Sequence, residues 1–386
     1  MMELEKNPFV VAEPLDDSIN IYNTLDGSSF NLKLDSITDF DTMLECLNTE
    51  KLKQLIQCGI FVYKNKVLNS LCLHIKAKLP LFGVSKGCFS DLSEASVGIL
   101  GVPYGNGNSK GQGTADAPAA LRLAGKKYSL DYNQLASSNM LGRRALNWPV
   151  PHNSKSDKSS ITDLGNIVVY SFETQHTIFN RIESIVKLLH EQNVIPFIIG
   201  GDHSITLPIL RGYKARNKPI NLIQFDAHTD NYVNRFESAL PIEQISHANF
   251  INQVIKEELV EEITQIGIRG LSNISAHTQG LNIVSAYELD VNFHIERDSE
   301  VYISIDVDVL DPLIMMATGH PVPHGLNLLQ LYQNLDFFFS NYRVIGVDLV
   351  EFDPAKSRGN YDTEVCLELA LYLIDRLNIH SGVKHA

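Results

Sequence analysis

From residue 96 onward, short apolar runs rich in β-branched residues alternate with amphipathic stretches, and this alternation restricts the fold more than any other feature of the sequence. The runs at 97–102, 194–199, 220–225, 263–268, 301–305 and 344–350 are nearly continuous in apolar character. A strand with one wet face would alternate apolar and polar side chains, so these are predicted to be strands buried on both faces. Between them, 174–191, 326–340 and 363–377 carry helical periodicity. Strand and helix in turn predict an α/β fold with a mostly parallel sheet covered by helices on both faces. A chain of 386 residues, 44% hydrophobic and 20% charged, can bury one such core and a second, small one. The stretch 136–163, polar and interrupted by Pro149 and Pro151, is expected to be a long surface loop.

Residues 1–90 read as a separate module, leaving 91–386 for the α/β unit. Two predicted strands, 19–24 and 28–34, flank Asp26-Gly27, a dipeptide suited to a tight hairpin. Helical spacing follows at Ile37, Phe40, Met43 and Leu44, then at Leu52, Leu55 and Ile56 before Gly59. A short strand at 60–63 and a turn at Lys64-Asn65-Lys66 complete the pattern of a compact winged-helix-like module. Its 11 acidic residues against 9 lysines and no arginine do not favour DNA. The whole chain carries a formal charge of -13, which repels polyphosphate and favours a cationic substrate, so no nucleic-acid partner is expected. No apolar run approaches the roughly 20 residues of a membrane span. The opening residues also lack the basic-then-apolar pattern of a secretion signal, so a cytoplasmic protein with no membrane partner is expected. Five scattered cysteines, Cys46, Cys58, Cys72, Cys88 and Cys366, fit reduced thiols better than a disulfide framework.

Three segments on or just after predicted strands concentrate ionisable residues. They are Gly200-Gly201-Asp202-His203-Ser204, Asp226-Ala227-His228-Thr229-Asp230, and Ser304-Ile305-Asp306-Val307-Asp308 running on to Asp311-Pro312. In an open parallel sheet the carboxyl ends of the strands form the ligand crevice, where segments distant in sequence can converge. Side chains two apart on a strand share a side, which is expected to group Asp226, His228 and Asp230 and to set Asp306 beside Asp308. Four carboxylates in one crevice repel unless cations neutralise them, and two divalent ions balance that charge. Oxygen and imidazole donors without thiolate suit Mn²⁺ better than structural zinc. The Gly-rich loop 105–113 matches neither of the common phosphate-binding patterns.

These segments resemble the GGDHS, DAHxD and SxDxDxxDP signatures of the ureohydrolase family, which includes arginases and agmatinases. Gly101-Val102-Pro103-Tyr104, with Gly111, Gly113, Pro118 and Arg122, is similar to the family's first strand, loop and helix. Val350-Glu351-Phe352-Asp353-Pro354 resembles its late strand-end motif. The resemblance spans roughly residues 96–377 and implies a three-layer αβα arginase-like fold and a homo-oligomer. It also implies a hydrolase that splits a guanidino group into urea and a primary amine. Two manganese ions are implied, one held by His203, Asp226, Asp230 and Asp306, the other by Asp226, His228, Asp306 and Asp308, so that Asp226 and Asp306 bridge. By the same resemblance Glu351 faces the guanidinium, and Asp230 passes a proton to the departing amine. His247 falls where relatives carry a proton-shuttling histidine.

The departures from the family pattern bear on the substrate. Arginases acting on the free amino acid carry, two positions after DAHxD, an Asn that helps bind the α-carboxylate. Here that position is Tyr232, as in agmatinase-like members, which makes Tyr232 a candidate substrate contact. His320 stands where relatives usually have a small residue, and His324 replaces a common Gly; His320 is a second candidate contact. The front module looks like the precursor-peptide recognition modules of enzymes that tailor ribosomal peptides, which capture a leader segment as an added strand. Together these features lead to the expectation of a peptide arginase that converts arginine side chains of a precursor peptide to ornithine. An agmatinase-like or free-arginine enzyme acting on a small guanidino substrate is the alternative, and a non-catalytic metal-binding scaffold or regulator is the alternative of another class.

Overall fold

The computed structural model of the chain describes residues 4–6, 10–15, 18–23, 29–33, 50–52, 55, 61–63, 74–89, 92–93, 95–128, 161–214, 216, 218, 220–232, 245–275, 278–287 and 299–381. In the front part, β1 (Leu4–Lys6) pairs antiparallel with β5 (Phe61–Tyr63). β2 (Val10–Leu15), β3 (Ser18–Asn23) and β4 (Ser29–Lys33) form an antiparallel sheet in that order. The pair β3–β4 is the hairpin expected around Asp26-Gly27. β2 was not among the expected strands; it contains Pro14, which an edge strand tolerates, since one side needs no ladder donor. Residues 50–52 and Leu55 are helical. The first helical pattern and the turn at Lys64-Asn65-Lys66 lie outside the described residues.

The large sheet is built from β6 (His74–Ile75), β7 (Ser85–Lys86), β8 (Val97–Gly101), β9 (Ile161–Ile167), β10 (Ile195–Ile199), β11 (Ile220–Phe225), β12 (Ile263–Ile268), β13 (Asn282–Ser285), β14 (Glu300–Asp306) and β15 (Arg343–Val350). Its order is β13-β12-β11-β14-β15-β10-β8-β9-β6, with β7 also beside β9, and every ladder is parallel except β6 with β9. Because β6 and β7 belong to this sheet, a boundary at residue 90 is too late: the α/β unit includes residues from His74 onward.

Helices cover both faces. α1 (Ala117–Gly125), α5 (Leu328–Asn341) and α6 (Tyr361–Ser381) contribute Leu121, Leu331 and Leu373 to the core on one side. α2 (Gln175–Glu191), α3 (Thr206–Gly212) and α4 (Phe250–Lys256) contribute Ile182, Leu207 and Phe250 to the other. α2 buries Ile178, Ile182, Ile185 and Leu189 along one stripe, each stabilising by about 1.5–3 kcal/mol relative to exposure. Thr174 caps its start by accepting from the Thr177 amide.

The expected loop 136–163 ends too late. Ile161, Thr162 and Asp163 begin β9, a buried strand whose polar residues hide it from an apolar-run reading. Asp163 accepts from Arg122 Nε and Nη2, both at 2.8 Å, from the Leu81 amide at 2.8 Å and from the Gly165 amide at 2.9 Å. Among the described residues Cys366 is a buried free thiol, and no helix is long and apolar enough to cross a membrane.

Candidate active site

β11, β14, β15 and β10 are consecutive neighbours, so the segments leaving their carboxyl ends meet in one crevice. After β10 the chain passes tightly against Tyr104: a Cβ on Gly201 would stand 1.9 Å from the Tyr104 carbonyl oxygen, so only glycine fits. Asp202 then caps a short turn by accepting from the Ser204 amide at 3.0 Å, and it also accepts from the Gly107 amide at 2.7 Å. One side chain thus fixes both the turn carrying His203 and the loop facing it.

His203 is fully buried. Its Nδ1 lies 3.0 Å from Asp226 Oδ2, 3.0 Å from Asp230 Oδ2 and 3.5 Å from Asp306 Oδ2. Its Nε2 lies 2.8 Å from Ser304 Oγ, and that hydroxyl donates to Asp348 Oδ1 at 2.6 Å. Thr206 Oγ1 and Tyr302 OH donate to Asp348 Oδ2. A hydroxyl that gives its proton to Asp348 must accept from Nε2–H, which in the neutral ring leaves the lone pair on Nδ1. That Nδ1 is buried and makes no hydrogen bond, although three carboxylates surround it. Across the crevice His228 Nδ1 is 3.0 Å from Asp308 Oδ2 and 3.6 Å from Asp226 Oδ1.

Donor atoms of His203, Asp226 and Asp306 lie within 4.8 Å of one another, as do those of Asp226, His228 and Asp308. Asp226 is common to both groups, and Asp306 appears only in the first. The convergence has a different local cause from the expected strand alternation. β11 stops at Phe225, and Asp230 sits in a loop with φ 49°; β14 stops at Asp306, and Asp308 sits in the following turn, which Asp306 caps at 2.8 Å. A non-glycine residue held at positive φ stores strain, which the surrounding packing must sustain.

The electrostatics show what the cluster lacks. Burial and the Asp308 and Asp226 carboxylates push Asp306 well above the carboxylate range. Burial and Asp226 push Asp230 up to about 7. Burial alone would lower both imidazoles, yet the surrounding carboxylates raise His203 well above its ordinary value and His228 up to about 12. The chain by itself therefore draws protons into the crevice to offset its carboxylates. The unpartnered Nδ1, the oxygen-rich donor set and this demand for positive charge all fit divalent cations.

Glu351, at φ 64°, follows β15 and is buried. Its Oε1 accepts from the His203 amide at 2.9 Å and lies 3.3 Å from His247 Nδ1; its Oε2 accepts from Asn108 Nδ2 at 2.6 Å. Although burial opposes it, Glu351 holds the His247 imidazole up to about 9. His247 Nε2 is 3.3 Å from Ser109 Oγ, and His320 stands beside it, partly buried, with ring centroids 5.2 Å apart. Tyr232 lies near His228, but its hydroxyl is tied to Asn273 at 2.9 Å. His324 sits apart, beside Tyr287.

Sequence reasoning gave no role to Asn108, Ser304 or Asp348. Asp348 had a legible signal, being the one charged residue inside the apolar run at 344–350. Asn108 had none, because a polar residue in a Gly-rich loop is ordinary.

Comparison with known proteins agrees with this geometry. The sequence profile of the arginase family matches residues 95–374. Arginase 1, mitochondrial, from Arabidopsis thaliana is 28% identical, covering 80% of this chain and 89% of that protein. Guanidinopropionase from Pseudomonas aeruginosa is 29% identical over 72% and 85% of the two chains, and agmatinase from Escherichia coli 27% over 73% and 87%. In fold, the chain is similar to proclavaminate amidino hydrolase from Streptomyces clavuligerus, with a TM-score of 0.64, 22% identity and coverage of 80% and 99%. Three-layer architecture, strand order and family match lead to one conclusion: the chain belongs to the arginase family, the ureohydrolases, enzymes that hydrolyse guanidino C–N bonds.

Proposed function

We propose that the chain is a peptide arginase, which hydrolyses arginine side chains of a precursor peptide to ornithine and urea. His203, Asp226, Asp230 and Asp306 would hold one Mn²⁺ and Asp226, His228 and Asp308 the other, with Asp306 close enough to the shared carboxylate to assist. When bound, the ion pair supplies hydroxide at neutral pH and a fixed line of attack on the guanidino carbon. Glu351, held by the His203 amide, Asn108 and His247, orients the cationic head by charge-assisted hydrogen bonds. Water adds OH to the carbon while the C–N bond breaks, and Asp230 carries the remaining proton to the departing amine. His247, between Glu351 and Ser109, links that proton path to the mouth. His320 would meet the substrate at the rim.

The observation that carries the peptide reading is Tyr232, which occupies the position where free-arginine enzymes carry an α-carboxylate-binding Asn. The front sheet β2-β3-β4 offers a strand edge on which a leader could be captured, raising the local concentration of the substrate arginine. The test is urea release by the full-length, Mn²⁺-loaded protein from free arginine, agmatine, and arginine peptides with and without a leader, read with mass spectrometry. A loss of about 42 Da per arginine is the expected signature of C–N hydrolysis. Equal turnover of leader-bearing and leaderless peptides would reject tethering. Tyr232 also matches agmatinase-like members, and turnover of agmatine with no peptide turnover would establish that second reading. The resemblance further suggests a homo-oligomer, which light scattering on the purified protein would measure.

A further inference from the structure

Behind the crevice, two glutamines interrupt the apolar runs of neighbouring strands. Gln224 on β11 and Gln265 on β12 are register partners in a parallel ladder, and both are fully buried. Gln224 Nε2 donates to Asp226 Oδ2 at 2.7 Å, while Gln265 Nε2 donates to Gln224 Oε1 and to the Thr229 carbonyl, both at 2.7 Å. These contacts leave neither amide a choice of orientation, because an ionised carboxylate and a carbonyl only accept and each glutamine must present its Nε2 to them. Gln265 Oε1 is left buried without a hydrogen-bond partner. Two apolar side chains would fill the same positions without that desolvation cost, but they would give Asp226 Oδ2 no donor.

Asp226 is the carboxylate common to both donor groups, and its two oxygens face different histidines. Oδ2 is 3.0 Å from His203 Nδ1, and Oδ1 is 3.6 Å from His228 Nδ1. Rotation of a carboxylate about Cβ–Cγ is soft, so an unrestrained group can turn both oxygens onto one ion and leave the other short of a ligand. Here the His228 amide holds Oδ1 at 2.6 Å, and Gln224 holds Oδ2. A lysine or arginine in place of Gln224 would also hold Oδ2, but its charge would offset the carboxylate that the cations need. The neutral amide restrains the group and leaves its charge intact. We propose that Gln224 is a positioning residue that keeps Asp226 bridging, with one oxygen towards each donor group, and that Gln265 fixes the direction of the Gln224 amide. The inference rests on the two-ion reading of the crevice.

The test titrates the full-length protein with Mn²⁺, following uptake by calorimetry and the ion pair by electron paramagnetic resonance. The parent protein is expected to take up two ions and, at two equivalents, to lose the six-line spectrum of isolated Mn²⁺ as the neighbouring ions couple. Gln224→Met keeps the side-chain length and removes the donor. It should weaken the second ion about 10–100-fold, since only His228 and Asp308 hold that ion besides the shared carboxylate, and leave the first nearly unchanged. At two equivalents its spectrum should retain the six lines. Gln224→Asn, one methylene too short to reach Oδ2, should behave in the same way, and it carries the test if the methionine variant does not fold, as thermal unfolding of the metal-free proteins would reveal. Equal weakening of both ions in a folded variant would mark a role in stability alone and overturns the proposal. An unchanged second affinity with a coupled spectrum overturns it as well. A parent protein that takes up fewer than two ions overturns it together with the two-ion reading.

Discussion

Two buried charged clusters lie in the same sheet, and they solve their electrostatics in opposite ways. Asp163 and Arg122 form a closed pair: both carboxylate oxygens are filled by the guanidinium and by two backbone amides, and Arg122 Nη1 also reaches Asn166. The crevice cluster has four carboxylates and two imidazoles, and one imidazole nitrogen points at three carboxylates without a hydrogen bond. A buried ion pair complete within the chain is architecture, because nothing needs to arrive. A buried cluster with a deficit of positive charge is a site, because its stability depends on a guest.

That contrast can be broken by experiment. The largest effect is expected at Asp226, whose carboxylate is common to both donor groups: Asp226→Ala should lower urea release on the order of 10³-fold or more and reduce bound metal, measured by elemental analysis. Next is Arg122→Met, which strands Asp163 and should cost about 3–5 kcal/mol of stability by denaturant titration while leaving the metal content of the folded protein unchanged. A fall in metal content there would show that the two clusters are coupled. Ser304→Ala or Asp348→Asn, which remove the support behind His203, should weaken metal affinity about 10–100-fold by competition with a chelator, with every ligand still present. The smallest effect is expected from Asn327→Ala, which removes the capping box of α5 without touching a side chain of either cluster and should cost about 1 kcal/mol with no change in metal affinity.

The two clusters also differ in how visible they are in the sequence. Strands β10, β11, β14 and β15 announce themselves because both faces are dry, and their terminal Asp and His residues stand out against the apolar runs. β9 is equally buried but reads as loop, since Asp163, Gly165 and Asn166 serve Arg122 in the interior. A buried polar residue is indistinguishable from a solvated one until its partner is known, and that partner lies 41 residues away. The crevice residues were legible in identity and not in mechanism: spacing of two suggested strand alternation, whereas a left-handed Asp230 and the turn after Asp306 set their directions. Backbone angles of that kind leave no trace in composition. At the front, β3 and β4 were legible from a turn dipeptide, while no such turn signal was read for β2.

The strand order carries a consequence for how activity comes into being during synthesis. β15 lies between β14 and β10, and it is made after both. A nascent chain that has not yet emerged through residue 350 lacks the strand that stands between the half of the sheet bearing His203 and the half bearing the Asp306–Asp308 turn. The sheet can thus close only late in synthesis, when this strand and the Glu351 that follows it have been made.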